Sequence, residues 1–428
     1  MKYLITKNNF IVAIIENNSE MIYCSLTLDV GSVNEKKNEF GLAHFFEHMI
    51  FKGTKTRPNI TLDLDKLGVM SNAYTSYDHT KYYIRGNKED YKEIIDILLD
   101  LFLNPIFPEK DIQNERNVVI QELKARKDDS ASESLDVLTE MLYNKTDTPY
   151  SIPVIGKETF ISNFTRENLF NFYKNHYLPA KKIVTISSSI PTKLIIKQLE
   201  KSLNSVLKEF RPKFLKLQTN FNIPLLNKTY SSNQNKIIHD ENLNQTIVLL
   251  AFKFVSRYNI NIYTMELLSI ILTNGFSSIL FNLLRNDLGV TYYQYSDQIN
   301  FKKHGYFYIA FGVKSNATIT TVNHVLKKLR ELKEDGVTKE QLKIAKKIIT
   351  NKLIDIYQND VKKTNLINEY VLDNIKPKTL QELIKIYNSI TLDDIYILIN
   401  KVFVINNLFI VLNGMGLKKN DIRQFDKL

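Results

Sequence analysis

The stretch Gly41-Leu42-Ala43-His44-Phe45-Phe46-Glu47-His48-Met49-Ile50-Phe51 decides how this 428-residue chain is read. Its apolar residues recur with helical spacing, so a helix is expected here. Residues four apart share one helix face, which sets the imidazoles of His44 and His48 side by side with Glu47 reaching next to them. Two imidazoles in this arrangement suit one Zn2+, and H-x-x-E-H is the reversed form of the zincin helix motif. Zinc lowers the pKa of a bound water, and a neighbouring carboxylate takes the proton as hydroxide attacks a polarised carbonyl. The pattern points to amide hydrolysis. Taken alone, it also fits two histidines on a half-buried helix satisfied by backbone carbonyls.

Outward from this helix, alternating segments near 3–15 and 21–30 precede it and turn at Gly31. The Tyr- and Thr-rich run 71–86 reads as extended chain, and DYKEIIDILLDLFL after it as a helix stopped by Pro105 and Pro108. Helices are expected over 109–129, 132–143 and 165–175, then a strand over 183–190. Between 209 and 232 periodicity is lost and two prolines occur, which marks a linker. The second half repeats the order: strand 246–255, long helix, two strands, helices 319–335, 337–357 and 363–374, and a final strand. The reading is an α+β protein of two similar domains, 1–215 and 233–428, each a mostly antiparallel sheet packed with helices.

Composition removes several alternatives. One cysteine, Cys24, excludes disulfide scaffolds and cysteine-rich zinc sites, so a metal must be held by His and carboxylates. No apolar run reaches membrane-spanning length, and the N-terminal IVAII run is cut short by Glu16 and Asn17. No secretory signal and no membrane association are therefore expected, and the location expected is cytoplasmic or an organelle matrix. The net charge of +11 is uneven, about +1 over 1–215 and +10 over 216–428. The basic run 327–349 interleaves acids with its lysines and has no aromatic platform, so a nucleic-acid partner is not expected.

A catalytic zinc site needs a third protein ligand. His79, His176, His239, His304 and His324 are scattered along the chain. Glu115 and Glu122, seven apart on the helix 109–129, lie on one face, where one can bind metal and the other support a histidine from behind. Glutamates on helices are also commonly just solvated.

With these residues in place, GLAHFFEHMIFKGT, SNAYTSYDHTKYY, ERNVVIQEL, PYSIPVIGKETFISNFTRENLFNFYKNHYLP and FSSILFNLLRNDLGVTYY together resemble a known family across the whole chain. It is that of the inverzincin zinc peptidases related to pitrilysin, insulin-degrading enzyme and the β subunit of the mitochondrial processing peptidase. The resemblance implies one Zn2+ per chain held by His44, His48 and Glu122, Glu47 as the base, and Glu115 as the carboxylate behind the metal. It implies the half-clamshell form of the pitrilysin-type fold. It also implies peptide substrates added as a strand along Ser71–Thr75, contacting Asn72, Ala73 and Tyr74. Arg285 and Tyr292 resemble the family's substrate-holding and oxyanion-stabilising pair, with Gly289 turning the chain between them. Because this chain resembles one half of the long members, a homodimer is implied, with Arg285 and Tyr292 facing the partner's zinc. Asp78 stands where Glu is common in the family. A noncatalytic scaffold subunit of the same fold is the alternative; such subunits usually lose a ligand or the base.

Overall fold

The computed structural model describes residues 2–5, 10–143, 149–204, 213–214, 234–240, 243–418 and 425. They build two sheets, each clothed in helices. The first has seven strands, β1 (Lys2–Ile5), β2 (Phe10–Glu16), β3 (Met21–Leu28), β4 (Met70–Thr75), β5 (Thr80–Asn87), β6 (Lys182–Ser188) and β7 (Lys213–Phe214), in the order β4-β5-β3-β6-β2-β1-β7. The second has five, β8 (Gln234–Ile238), β9 (Thr246–Phe254), β10 (Gln294–Asn300), β11 (Gly305–Val313) and β12 (Leu408–Asn413), in the order β10-β11-β9-β12-β8. Pairing is antiparallel except for β2 with β6 and β8 with β12. The fold is α+β with two similar, mostly antiparallel sheets.

Strand β2 shows why each sheet needs cover on both faces. Its sequence FIVAIIE is apolar at six consecutive positions, and all six side chains are buried. Successive residues point to opposite faces. Phe10, Val12 and Ile14 join the large core on one side, while Ile11, Ala13 and Ile15 join Ile367, Val371 and Leu372 on the other. Those last three residues belong to the helix Asp360–Leu372, far along the sequence. Asn368 of this helix is tied to β6 and β3: its Oδ1 accepts from Thr185 Oγ1 at 2.5 Å and its Nδ2 donates to Thr27 Oγ1 at 2.8 Å.

The chain accordingly forms one compact unit from residues 1–125, 152–220 and 356–377 and a second from 126–151, 221–355 and 378–428. Each unit takes one helix from beyond the sequential halves 1–215 and 233–428. The linker expected at 209–232 lies outside the described residues apart from the two of β7.

Five helices matter for the site and its surroundings: α1 (Leu42–Ile50), α2 (Ile60–Lys66), α3 (Tyr91–Leu103), α4 (Glu109–Asp128) and α5 (Ser130–Tyr143). The run 71–86, read as one extended stretch, is a hairpin. Ser76 N–H donates to His79 O at 2.8 Å and closes a turn between β4 and β5. Its alternating Tyr and Thr residues continue through that turn, which is why the sequence pattern does not reveal it. The helices Leu380–Ser389 and Leu392–Val402, each opened by a Thr capping box, were not anticipated.

Candidate metal centre

Helix α1 starts at Gly41, whose φ of +101° favours glycine and where a Cβ would meet Ile155 O at 2.6 Å. The buried Glu35 carboxylate accepts from Gly41 N–H at 3.0 Å and Ala43 N–H at 2.7 Å, satisfying two of the helix's first amides. Burial pushes Glu35 up to about 8 despite those two donors. Leu42, Ala43, Phe45, Phe46, Met49 and Ile50 are all buried. Their packing fixes the opposite side of α1, which carries His44, Glu47 and His48 into a cleft of about 490 Å³.

Helix α4 brings the acids. Its buried stripe is Ile112, Glu115, Val119 and Leu123, so Glu115 occupies a position otherwise apolar. His48 Nδ1 lies 2.8 Å from Glu115 Oε1, and Lys52 Nζ lies 2.6 Å from Glu115 Oε2. Burial alone would raise the Glu115 pKa, but the hydrogen bonds from His48 and Lys52 overcome it and hold the carboxyl below its ordinary value. An ionised Glu115 accepts from His48 Nδ1–H, which leaves the Nε2 lone pair for a cation.

Glu122, one turn beyond Val119, meets both rings. Its Oε1 is 3.5 Å from His44 Nε2 and its Oε2 is 3.4 Å from His48 Nε2. Ligand atoms of His44, His48 and Glu122 all lie within 4.8 Å of one another. Bonds of ~2.1 Å in a tetrahedral site require donors ~3.4 Å apart, and the two contacts of Glu122, at 3.5 and 3.4 Å, have that spacing. Charge agrees with geometry. Burial lowers the His48 pKa, but hydrogen bonds to Glu115 and Glu122 outweigh it and raise it to about 9, so the carboxylates favour a positive charge at this point, which a metal would supply in place of that proton. No other group of three or more such side chains forms among the described residues.

Glu47 completes the cluster. Burial raises its pKa, and the Thr75 hydroxyl, donating to Oε2 at 2.8 Å, opposes that rise. A base with a raised pKa binds a proton more readily near neutrality.

Strand β4 borders the same cleft with Asn72, Ala73, Tyr74 and Thr75. Among the described residues it is the outermost strand of its sheet, so one row of its backbone groups faces away from β5. Ala73 N–H donates to Asn72 Oδ1 at 2.8 Å, which covers one of those groups with the strand's own side chain. Tyr74 is held at its hydroxyl by His79 Nε2 at 3.3 Å, which gives His79 a place outside the metal cluster.

Arg285 and Tyr292 belong to the second unit. The Arg285 guanidinium stands 5.4 Å from the Phe281 ring centroid and 5.9 Å from that of Tyr292, and Tyr292 is 79% exposed. Gly289, with φ +60°, turns the chain between them. Of the residues singled out in the sequence, His44, Glu47, His48, Glu122, Asn72, Ala73 and Tyr74 line one cleft, Glu115 stands behind His48, and Arg285 and Tyr292 lie in the second unit. The sequence reading passes over Lys52 and Glu35, and names Thr75 only as the end of the substrate strand. Lys52 sits four residues past His48, a spacing that places it on the His48 side; Thr75 and Glu35 carry no comparable signal.

Residues 11–155 match the family described as insulinase (peptidase family M16), and residues 163–349 match its companion, described as the peptidase M16 inactive domain. An uncharacterized zinc protease of Bacillus subtilis is 27% identical over 404 residues, covering 93% of this chain and 95% of its own length. The mitochondrial-processing peptidase β subunit of Caenorhabditis elegans is 30% identical over 196 residues, 45% of this chain and 42% of its own. Among solved structures, a protease from Helicobacter pylori superposes with a TM-score of 0.81 at 21% identity, covering 96% of this chain and 99% of that one. Motifs, metal cluster and both matched regions agree: this chain belongs to the M16 family of zinc peptidases.

Proposed function

We propose that this chain is a zinc-dependent metallo-endopeptidase acting on short or locally unfolded peptides. The observation that carries the reading is the single cleft in which His44, His48 and Glu122 converge, with Glu47 beside them, Glu115 behind and the open edge of β4 along the wall. Zinc bound by His44, His48 and Glu122 supplies Lewis acidity for water and for the scissile carbonyl. Glu47, held by the Thr75 hydroxyl at Oε2 and by a Thr75 backbone hydrogen bond, would take the proton from water and return it to the leaving amine. Glu115 and Lys52 keep His48 in the tautomer that offers Nε2.

Edge addition to β4 gives any extended peptide main-chain hydrogen bonds and leaves selectivity to side-chain pockets. It requires Asn72 Oδ1 to release Ala73 N–H to a peptide carbonyl. Folded substrates cannot offer a free strand and are excluded. In a homodimer, Arg285 and Tyr292 of one subunit would face the zinc of its partner and donate to the developing oxyanion. No described helix is long and apolar enough to cross a membrane.

The test is zinc content together with cleavage of a quenched-peptide library, for the native chain and Glu47→Gln, before and after chelation. Zinc near one per chain, with cleavage abolished by the substitution and by chelation, is the expected result. A Glu47→Gln chain that still cleaves with zinc restored would overturn the mechanism, and a chain without zinc would favour a scaffold role.

A further inference from the structure

We propose that Thr75 is a positioning residue that couples peptide occupancy of β4 to the orientation of the base Glu47, an inference that rests on the peptidase reading above. Thr75 is the last residue of β4 and lies opposite Thr80 of β5. Alternation along the strand puts its side chain on the same face as Ala73, which packs against the core of the first unit. From there its hydroxyl donates to Glu47 Oε2 at 2.8 Å. Ionised Glu47 can only accept, so the proton in this bond is the threonine's.

A glutamate side chain has three rotatable bonds, and restricting them costs entropy each time the base is brought to its working position. Threonine is suited to bear that load because its β-branch leaves few χ1 rotamers in a strand. Its anchor to the protein is β4, paired through one edge to β5 and, among the described residues, to no strand at the other. A peptide adding along the open edge pairs β4 on both sides, which stiffens its last residue and, through the Thr75 hydroxyl, the carboxylate. The base is then best ordered when substrate is in place. Neither the zinc ligands nor Glu115 take part in this link, so it can be removed without disturbing the metal.

The experiment compares Thr75→Val, which keeps the β-branched shape and removes the donor, with Thr75→Ser, which keeps the donor. Steady-state cleavage of one library peptide and zinc affinity by chelator competition are read for each. Thr75→Val is expected to lower kcat about 10- to 100-fold with KM changed less than about threefold, as a misplaced catalytic group does. Its zinc affinity is expected to equal that of the native chain. Thr75→Ser is expected to recover kcat to within about threefold of native. Unchanged kcat in Thr75→Val, or a rise in KM alone, overturns the proposal by making Thr75 a bystander or a simple substrate contact. Loss of zinc in Thr75→Val overturns it by making the residue structural. A native chain that binds zinc and cleaves nothing is distinguishable from all of these, and it overturns the peptidase reading and this inference together.

Discussion

Five strands of the first sheet, β4-β5-β3-β6-β2, repeat the order of the second, β10-β11-β9-β12-β8, yet among the described residues only the first unit gathers a group that could hold a metal. Helix α4 buries Ile112, Glu115, Val119 and Leu123; the helix Lys339–Gln358 buries Leu342, Ala345, Ile349 and Leu353, each 230 residues further on. The buried residues of α1 likewise map, 222 residues on, to Thr264, Met265, Leu267, Leu268, Ile271 and Leu272 of the helix Asn261–Thr273, all buried. In this register His44 corresponds to Glu266, Glu47 to Ser269, His48 to Ile270, Glu115 to Ala345 and Glu122 to Lys352. Where Glu122 meets His44 in the first unit, Lys352 Nζ meets Glu266 Oε1 at 2.9 Å in the second, and Tyr387 donates its hydroxyl to the other Glu266 oxygen. The second unit therefore already holds a cation at this junction, a lysine ammonium. In the first, Glu122 meets the His44 and His48 imidazoles instead, and the cation proposed there is zinc. A few side chains thus separate a group that could hold a metal from an ion pair on the same scaffold.

The largest effect is expected from imposing the second unit's pattern on the first. Glu122→Lys should reduce zinc from about one per chain to none and peptide cleavage by at least ~10³-fold, since ligand and charge are both lost. The fold should persist, because Glu122 is half exposed and outside the core. Metal analysis and circular dichroism together decide the matter. Zinc retained in this variant would mean that the cluster is not the metal site and that the comparison fails at its first step.

Next comes Lys52, which has no counterpart in the second unit: the matching residue there is Asn274. Removing its ammonium with Lys52→Met leaves Glu115 half-compensated behind His48. Zinc affinity should fall about 10- to 100-fold, as is usual when a supporting partner of a metal-bound histidine is lost. Lys52→Arg should restore most of it. Equal affinity in Lys52→Met would show that His48 alone orders Glu115.

Much of this arrangement is legible in the sequence, and the physical reason is spacing. His44, Glu47 and His48 lie within one helical turn, so their convergence needs only α1 to form, and Glu115 announces itself as an acid in a stripe of Ile112, Val119 and Leu123. The stretch 3–15, read as one alternating segment, contains two strands, and β2 is buried on both faces because FIVAIIE is apolar at consecutive positions. What covers its second face is not legible. Ile367, Val371 and Leu372 follow β2 by some 350 residues, and no local pattern says which helix will lie on which sheet. Thr75 is illegible for a related reason. Its bond to Glu47 joins a strand and a helix 28 positions apart, and a threonine in a strand has an ordinary reason to be there.

A third expectation contrasts buried and exposed amines. Lys81, beside the Tyr23 ring and hydrogen-bonded to Asn365, is 1% exposed, and burial pushes its pKa down to about 7 although Glu369 opposes the shift. Below pH 7 both folded and unfolded chains carry this proton, and the full cost of burying the charge is present. Between about 7 and 10.5 the unfolded chain holds the proton and the folded chain does not, so stability should rise with pH by up to about 1.4 kcal/mol per unit from this residue. Lys81→Met should flatten that part of the profile in denaturant titrations. An unchanged slope would place the titration elsewhere.

The smallest effect belongs to Lys352, and its smallness is what the comparison requires. The Lys352 and Glu266 side chains are 56% and 27% exposed, so water already solvates much of both charges. A pair of this kind contributes less than about 1 kcal/mol. Lys352→Met should then shift the melting midpoint by no more than about 3 °C and leave zinc binding and cleavage as they were. A fall several times larger would mean that the ion pair holds the second unit together, so that the lysine is there for stability. A small shift would mean that the junction between these two helices tolerates whichever cation is supplied, and that in the first unit the position was free to be given to a metal.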